Sequence, residues 1–337
     1  MIKADKFPYI DGMAIPHYPE RARIDLSMRR DLHPLLSMLP DGVSEFTFAG
    51  LYLFRDTYNY HLSRLPADNL LISGEKDGSS FFMLPCGLPE DTGLLNELFD
   101  RYDYLKGLSE RNTDAARVVL ENLGLFVQED RDNFDYLYLK EDLANLPGKK
   151  YHKKRNRVNA FVNDYHFVEQ VLKPKHIPDA LGILESWQEN REDRSDYAAA
   201  REALERFQEL GLKGYIVYVD EIPAAYTVGE ALMKGRSFVV HFEKALDEYR
   251  GIYQFINKAF AAILPRHYKW INREQDLGNE GLRQSKMTYR PTGFVKKYRV
   301  SRDVPQTGDV PQTGDASNTG ETSRTDDNAG DTQASAS

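Results

Sequence analysis

Between Gly214 and Glu243 the chain reads GYIVYVD, EIP, AAYTVGEAL, MKG, RSFVVHFE. Three runs rich in β-branched and aromatic residues are separated by links of only three residues. Links that short join antiparallel neighbours, so the stretch predicts two hairpins in succession. The rest of the second half has to be built around this meander.

The flanking segments extend the order. FVEQVL (167–172) alternates as a strand does. IPDALGILESWQENRED (177–193) carries Leu181, Leu184 and Trp187 at helical spacing, and YAAAREALERFQELG (197–211) is a helix stopped by Gly211. After the meander, Ile252, Phe255, Ile256, Ala259, Phe260 and Ile263 mark a helix that starts near Arg250-Gly251 and ends before Pro265. KWIN (269–272) is a short strand, Asn279 caps a helix running to about Met287, and FVKKYRV (294–300) is a last strand. The predicted order is β-α-α-β-β-β-α-β-α-β.

The first half repeats this order more faintly. Helical segments fall near 28–38, 44–56, 91–104 and 113–123. Strand candidates are YHLSRL (60–65), NLLIS (69–73), SSFFMLP (79–85) and FDYLYL (134–139). Two copies of one order predict a duplicated α/β (α+β) fold, each copy a mixed, largely antiparallel sheet flanked by helices. The expected division is a first domain over 1–145, a second over 146–302 that includes the linking helix KKYHKKRNRVNAFVNDY (149–165), and a disordered acidic tail over 303–337.

Charge supports that division. Seven acids and one arginine lie in 303–337, so the tail carries −6 of the chain's net −8 and the remaining residues only −2. With its VPQTGDVPQTGD repeat and almost no apolar residues, the tail cannot offset its own ordering entropy. Cys86 is the only cysteine, and the N-terminal segment lacks the apolar core of a secretory signal. Both fit a reducing, cytoplasmic setting. The eight histidines show no metal-ligand spacing, and no Ser-His-Asp or Cys-His arrangement suggests a covalent enzyme.

Four clusters carry chemistry. His241 and Glu243 share one side of a strand and form a candidate proton-accepting pair, or a buried hydrogen-bonded one. Arg250 and Gly251 stand at a helix N-terminus, where free N–H groups and the helix dipole favour an anion, or where the glycine merely relieves crowding. Lys150, Lys153, Lys154, Arg155 and Arg157 make a basic segment, with Lys150, Lys153, Lys154 and Arg157 on one helical face. Such a face tracks phosphates of a nucleic acid or of an anionic membrane surface, or is simply solvated. Finally, NREQDLGNEG follows a strand end, where ligands gather in open α/β sheets. Asn272 and Arg273 are candidate substrate contacts there, with Lys286 and Tyr289 on the far side. Glu274 and Asp276 are candidate catalytic carboxylates, or members of an ion-pair network.

The element order is that of acetyltransferase-like (GNAT) folds. The strings KKYHKKRNRVNAF, HFEKALDEYRGIYQFIN and WINREQDLGNEGLRQSKMTYRP together resemble the phosphatidylglycerol lysyltransferase C-terminal domain family, also called DUF2156. The resemblance implies tandem GNAT-like domains related to Fem-type aminoacyltransferases. It implies acyl transfer from an aminoacyl-tRNA to an amine or hydroxyl on a lipid headgroup, peptide or small molecule. An acyl-coenzyme A-dependent N-acyltransferase is the alternative, and a noncatalytic binding module retaining the fold a third. The donor would be a co-substrate rather than a tightly bound cofactor. The partners implied are tRNA, an anionic membrane surface met peripherally, and the acceptor.

Overall fold

The computed structural model describes residues 15–189 and 196–303. The acidic tail beyond Asp303 lies outside the described residues, so the expectation of disorder there has no structural counterpart.

The first half runs β1 (Ala22–Arg23), α1 (Arg29–Ser37), α2 (Phe48–Leu53), β2 (His61–Arg64), β3 (Leu70–Lys76) and β4 (Ser79–Met83). It continues through α3 (Thr92–Arg101), β5 (Tyr104–Ser109), α4 (Glu110–Asn122), β6 (Phe126–Glu129) and β7 (Asp135–Leu139). Then come α5 (Lys140–Asn145), α6 (His152–Asp164), β8 (Phe167–Val171), α7 (Ile177–Glu189), α8 (Tyr197–Glu205), β9 (Lys213–Val219), β10 (Ile222–Leu232) and β11 (Ser237–Ala245). The chain closes with α9 (Ile252–Ile263), β12 (Trp270–Asn272), α10 (Glu280–Met287), β13 (Gly293–Val295) and β14 (Lys297–Ser301).

The meander forms as its short links require: β9, β10 and β11 pair antiparallel in sequence. Gly229 sits where the β10–β11 register shifts, and a Cβ there would collide with the carbonyl of Val239. The missing side chain is what lets the two backbones meet at this bulge.

The two sheets do not follow the sequence halves. One has the order β1-β2-β3-β4-β5-β14-β6 and the other β13-β7-β12-β11-β10-β9-β8. FDYLYL leaves the first half and inserts between β12 and β13, pairing antiparallel with both. FVKKYRV, read from the sequence as one strand, is two strands in two sheets. β13 stays in the second sheet, and β14 crosses into the first, between β5 and β6. A boundary at 145/146 therefore does not separate the sheets. Each half lends the other a strand.

The cores confirm the exchange. Tyr136 and Tyr138 of β7 are buried with Phe161, Phe238, Ile256 and Phe260 of the second half. Tyr298 and Val300 of β14 are buried with Leu98, Phe99 and Leu120 of the first. A third cluster is shared, joining Leu32, Leu36, Leu51 and Tyr52 of α1 and α2 to Ile183, Leu184, Ala200, Leu204 and Phe242. A large Phe or Leu removed from such a site costs about 2–5 kcal/mol, so the halves are held as firmly as either interior.

Candidate active site

The parallel strands β11 and β12 pair only at Ser237↔Trp270, Phe238↔Ile271 and Val239↔Asn272. Beyond that β11 continues to Ala245, while the chain leaving Asn272 turns away into the loop before α10. A cleft of about 1000 Å³ opens at this divergence. His241, Glu243, Arg273, Glu274 and Lys286 line the second-half wall; Glu45, Tyr58, Tyr60 and Lys106 line the first-half wall.

A line of charge crosses the cleft floor. His241 Nδ1 donates to Glu274 Oε1 at 2.8 Å and Nε2 donates to Glu230 Oε1 at 3.1 Å. The other Glu230 oxygen is 3.3 Å from His33 Nδ1 on α1. Burial alone would lower the His241 pKa, but its hydrogen bonds to Glu230 and Glu274 override this and raise it to about 10. Burial would raise that of Glu230, yet the hydrogen bonds from His241 and His33 pull it down to about 2. His241 is thus an imidazolium at neutral pH with both nitrogens engaged. It cannot accept a proton as the sequence suggested.

Glu274 is the end of that line which meets the cleft, its side chain 24% exposed. Its φ is +54°, a left-handed conformation that costs a glutamate of order 1–3 kcal/mol. Surrounding bonds hold it there. Asn272 Oδ1 accepts from Glu274 N at 2.8 Å, and Lys286 Nζ donates to the carbonyls of Arg273 (2.7 Å), Glu274 (3.2 Å) and Gln275. Burial lowers the Lys286 pKa to about 8 even with Glu274 nearby. Asn272, fully buried, also donates to Gly42 O and Asp135 Oδ2, each at 3.1 Å. Asn272 therefore shapes the loop from beneath rather than touching substrate, and Lys286 braces the loop while also lining the cleft.

Asp276 is a second correction. Its backbone borders the cleft, but its carboxylate is 0% exposed. It accepts from Arg131 (3.0 Å), Tyr136 Oη (2.6 Å), both donors of Arg283 (3.0 and 2.9 Å) and Gly278 N (3.0 Å). Burial opposes ionisation, yet the Arg283 and Tyr136 hydrogen bonds hold this carboxyl well below the usual range. It is a permanent anion locking the loop, the alternative that the residue types left open.

Glu243 pairs not with His241 but with Arg273, at 2.7 Å. Arg273 lies 5.5 Å from the centroid of the buried Tyr289 ring, and Lys154 Nζ lies 3.8 Å from it. Tyr289 is thus packing for two cations rather than a substrate contact. Burial, then Arg273 and Arg157, lower the Lys154 pKa to about 8. The basic segment is correspondingly broken up. Lys150 pairs with Asp142 at 3.0 Å, Arg155 donates to the carbonyls of Leu146 and Gly148, and Lys153 and Arg157 remain exposed.

The corner at Arg250-Gly251 is filled. Gly251 has φ +90°, and a Cβ there would collide with the Arg157 carbonyl of α6. The glycine lets α6 approach, and the adjacent Ile252 N–H is taken by Tyr249 O at 3.1 Å. Arg250 is exposed, with its N–H donating to Tyr165 Oη. The backbone approach expected for a ligand is used by the protein itself.

The family model "Phosphatidylglycerol lysyltransferase, C-terminal" matches residues 37–301. The chain belongs to that family. A Bacteroides thetaiotaomicron protein of unknown function superposes with a TM-score of 0.75 at 29% identity, over 83% of this chain and 98% of that one. The DUF2156 domain of a candidate lysylphosphatidylglycerol synthetase from Agrobacterium fabrum gives 0.57 at 14%, over 83% and 93%. FemX gives 0.53 at 9%, over 83% and 96%. Membership in the phosphatidylglycerol lysyltransferase C-terminal family makes the chain acyltransferase-like in kind. Among the described residues no helix is long and apolar enough to cross a membrane, and no cluster of three or more His, Cys, Asp or Glu is arranged for a metal.

Three cleft or near-cleft groups escaped the sequence reading. Glu230 lies in the apolar-looking AAYTVGEAL, Glu45 precedes α2, and Lys106 stands in YLKGLS. The alternation of YLKGLS was the available signal: taken as a strand, it points an unexplained lysine to one face.

Proposed function

We propose that this member of the phosphatidylglycerol lysyltransferase C-terminal family transfers an aminoacyl group from an aminoacyl-tRNA to an amine or hydroxyl acceptor in the cleft between β11 and β12. The observation that carries the reading is Glu274, a carboxylate held in a strained backbone conformation, facing the cleft and fixed from behind by the His241 imidazolium. In the reaction, the acceptor nitrogen or oxygen attacks the ester carbonyl. A bond forms from carbon to the acceptor, the bond to the ribose oxygen breaks, and the acceptor's proton passes to Glu274. The departing ribose oxygen takes that proton from Glu274, which returns to the carboxylate. Arg273, neutralised by Glu243, forms the adjacent wall.

The Gly251 corner supports the tRNA-linked donor over coenzyme A, since α6 occupies the side on which a ligand would meet the glycine and the Ile252 N–H is already bonded to Tyr249 O. An open cleft lined by charged groups also favours catalysis over a retained but inactive fold. The test is single-turnover transfer from a mixed aminoacyl-tRNA pool to added acceptors, run beside acyl-coenzyme A. Label lost from tRNA in the presence of protein and acceptor, and slowed in Glu274→Gln, is the expected result. Transfer from acyl-coenzyme A alone would remove the donor assignment.

A further inference from the structure

Lys106 is the one cation on the first-half wall of the cleft whose charge has no short-range partner among the described residues. The residue is 5% exposed. The ammonium makes no hydrogen bond or ion pair there. It stands 4.9 Å from the Tyr58 ring centroid and 5.1 Å from that of Phe81. Those rings belong to an aromatic frame in which Tyr58 also packs on Tyr60 (5.3 Å) and Phe81 on Tyr104 (5.6 Å). The frame holds the ammonium itself, on a residue that lines the cleft. Burial lowers the Lys106 pKa, with Glu45 acting against that.

An ammonium removed from water needs an anion or several acceptors to compensate it. Aromatic faces supply part of this, but they offer no oxygen. Glu45, whose charge acts on Lys106, gives its Oε2 to Lys297, which also holds Asp135 at 2.6 Å. Burial raises the Tyr58 pKa, and the charges of Glu45, Asp77 and, least, Glu274 add to it. Tyr58 lines the same cleft as Lys106 and Glu274. Its hydroxyl, like the Lys106 ammonium, makes no hydrogen bond among the described residues.

We infer that Lys106 is the anion subsite of this cleft, taking carboxylate or phosphate oxygens of the molecule that binds there, with the Tyr58 hydroxyl as a second donor. The occupant then has a nucleophile or ester at the Glu274 end and an anionic group at the Lys106 end. The inference rests on the cleft being a substrate site, but not on which reaction occurs in it.

Anion binding is measured without turnover, so the two readings fail separately. Inorganic phosphate and acetate are titrated by calorimetry into the full chain, Lys106→Met, Lys106→Arg and the exposed control Lys175→Gln. The expected result is saturable binding of at least one probe, weakened about tenfold or more in Lys106→Met, and retained in Lys106→Arg and the control. The tighter probe tells a phosphate ester from a carboxylate. Equal affinity in Lys106→Met overturns the subsite, as does binding of neither probe by the wild-type chain. A Lys106→Met protein that melts early yet binds the anion normally makes Lys106 a distant counterion for Glu45 and overturns it too. Should Lys106→Met not fold, reductive methylation of the wild-type chain decides: phosphate or acetate must slow labelling of Lys106 and leave Lys175 unchanged, and labelling indifferent to both overturns the proposal.

Discussion

Lys297 Nζ and Asp135 Oδ1 are 2.6 Å apart, both side chains are wholly buried, and each residue begins one of the two exchanged strands. The pair therefore joins β14, which left the second half, to β7, which left the first. Asp135 also accepts from Ser44, Asn272 and Gln275, so the same carboxylate reaches the loop that carries Glu274.

Breaking this pair from one side leaves a charge buried without compensation, which costs about 3–5 kcal/mol. Lys297→Met is expected to lower stability by that amount in urea unfolding. Adding Asp135→Asn should recover part of the loss. Because each sheet holds a strand from the other half, tryptophan fluorescence and far-ultraviolet circular dichroism should report one coincident transition. Two separated transitions would show that the halves unfold independently.

Glu274→Gln keeps an acceptor for His241 Nδ1 and the same backbone bonds. Stability should change by about 1 kcal/mol or less, while turnover falls about 10²–10⁴-fold as for a lost general base. Undiminished turnover would move the proton transfer elsewhere.

Asp276→Asn should behave in the opposite way. It leaves Arg131 and Arg283 facing a neutral group, at a cost of about 3 kcal/mol, the low end for a buried pair because both arginines reach solvent. Turnover per folded molecule should stay near wild type. Melting temperature and single-turnover rate on the same sample separate the two carboxylates.

The His241 line predicts a pH profile. Its pKa is raised from an ordinary 6.5 to about 10, so the stability it contributes is complete below about pH 6.5 and lost as pH climbs through 10. Glu230, lowered from 4.5 to about 2, contributes stability that is present above about pH 4.5 and lost as pH falls through 2. These are two views of one interaction. Urea midpoints should be highest between about pH 4.5 and 6.5, and the alkaline decline should flatten in His241→Gln. An alkaline limb unchanged in that variant would assign the decline to other groups.

Gly251→Ala must place a Cβ against the Arg157 carbonyl at φ +90°. The expected loss exceeds about 1 kcal/mol, and calorimetry should find no coenzyme A binding in either protein. Coenzyme A affinity that disappears on this substitution would reinstate the corner as a donor site.

Much of the second sheet was legible because its strands are long, alternate in polarity and are joined by three-residue links. Their register is a local matter. The exchange was not legible. FVKKYRV is one apolar-edged run, and what divides it at Lys296 is the identity of its partners, β7 on one side and β5 with β6 on the other, all more than 150 residues earlier. β5 was missed because YLKGLS is short, carries a lysine and a glycine, and takes its burial from that same distant strand. At the site, position was legible and role was not. Glu274 and Asp276 are carboxylates two residues apart on one loop, and only the arginines of α10 and of the segment before β7 tell the anchor from the cleft group.

The exchanged strands also set an order of events during synthesis. The first sheet lacks the strand between β5 and β6 until residue 301 has left the ribosome, so the amino-terminal half must wait, with an open gap and unpaired edges, for nearly the whole folded region to be made. Such edges invite pairing with other nascent chains. A gene cut between residues 145 and 146 would leave both products with the same vacancy, and their reassembly would require each fragment to thread its last strand into the other.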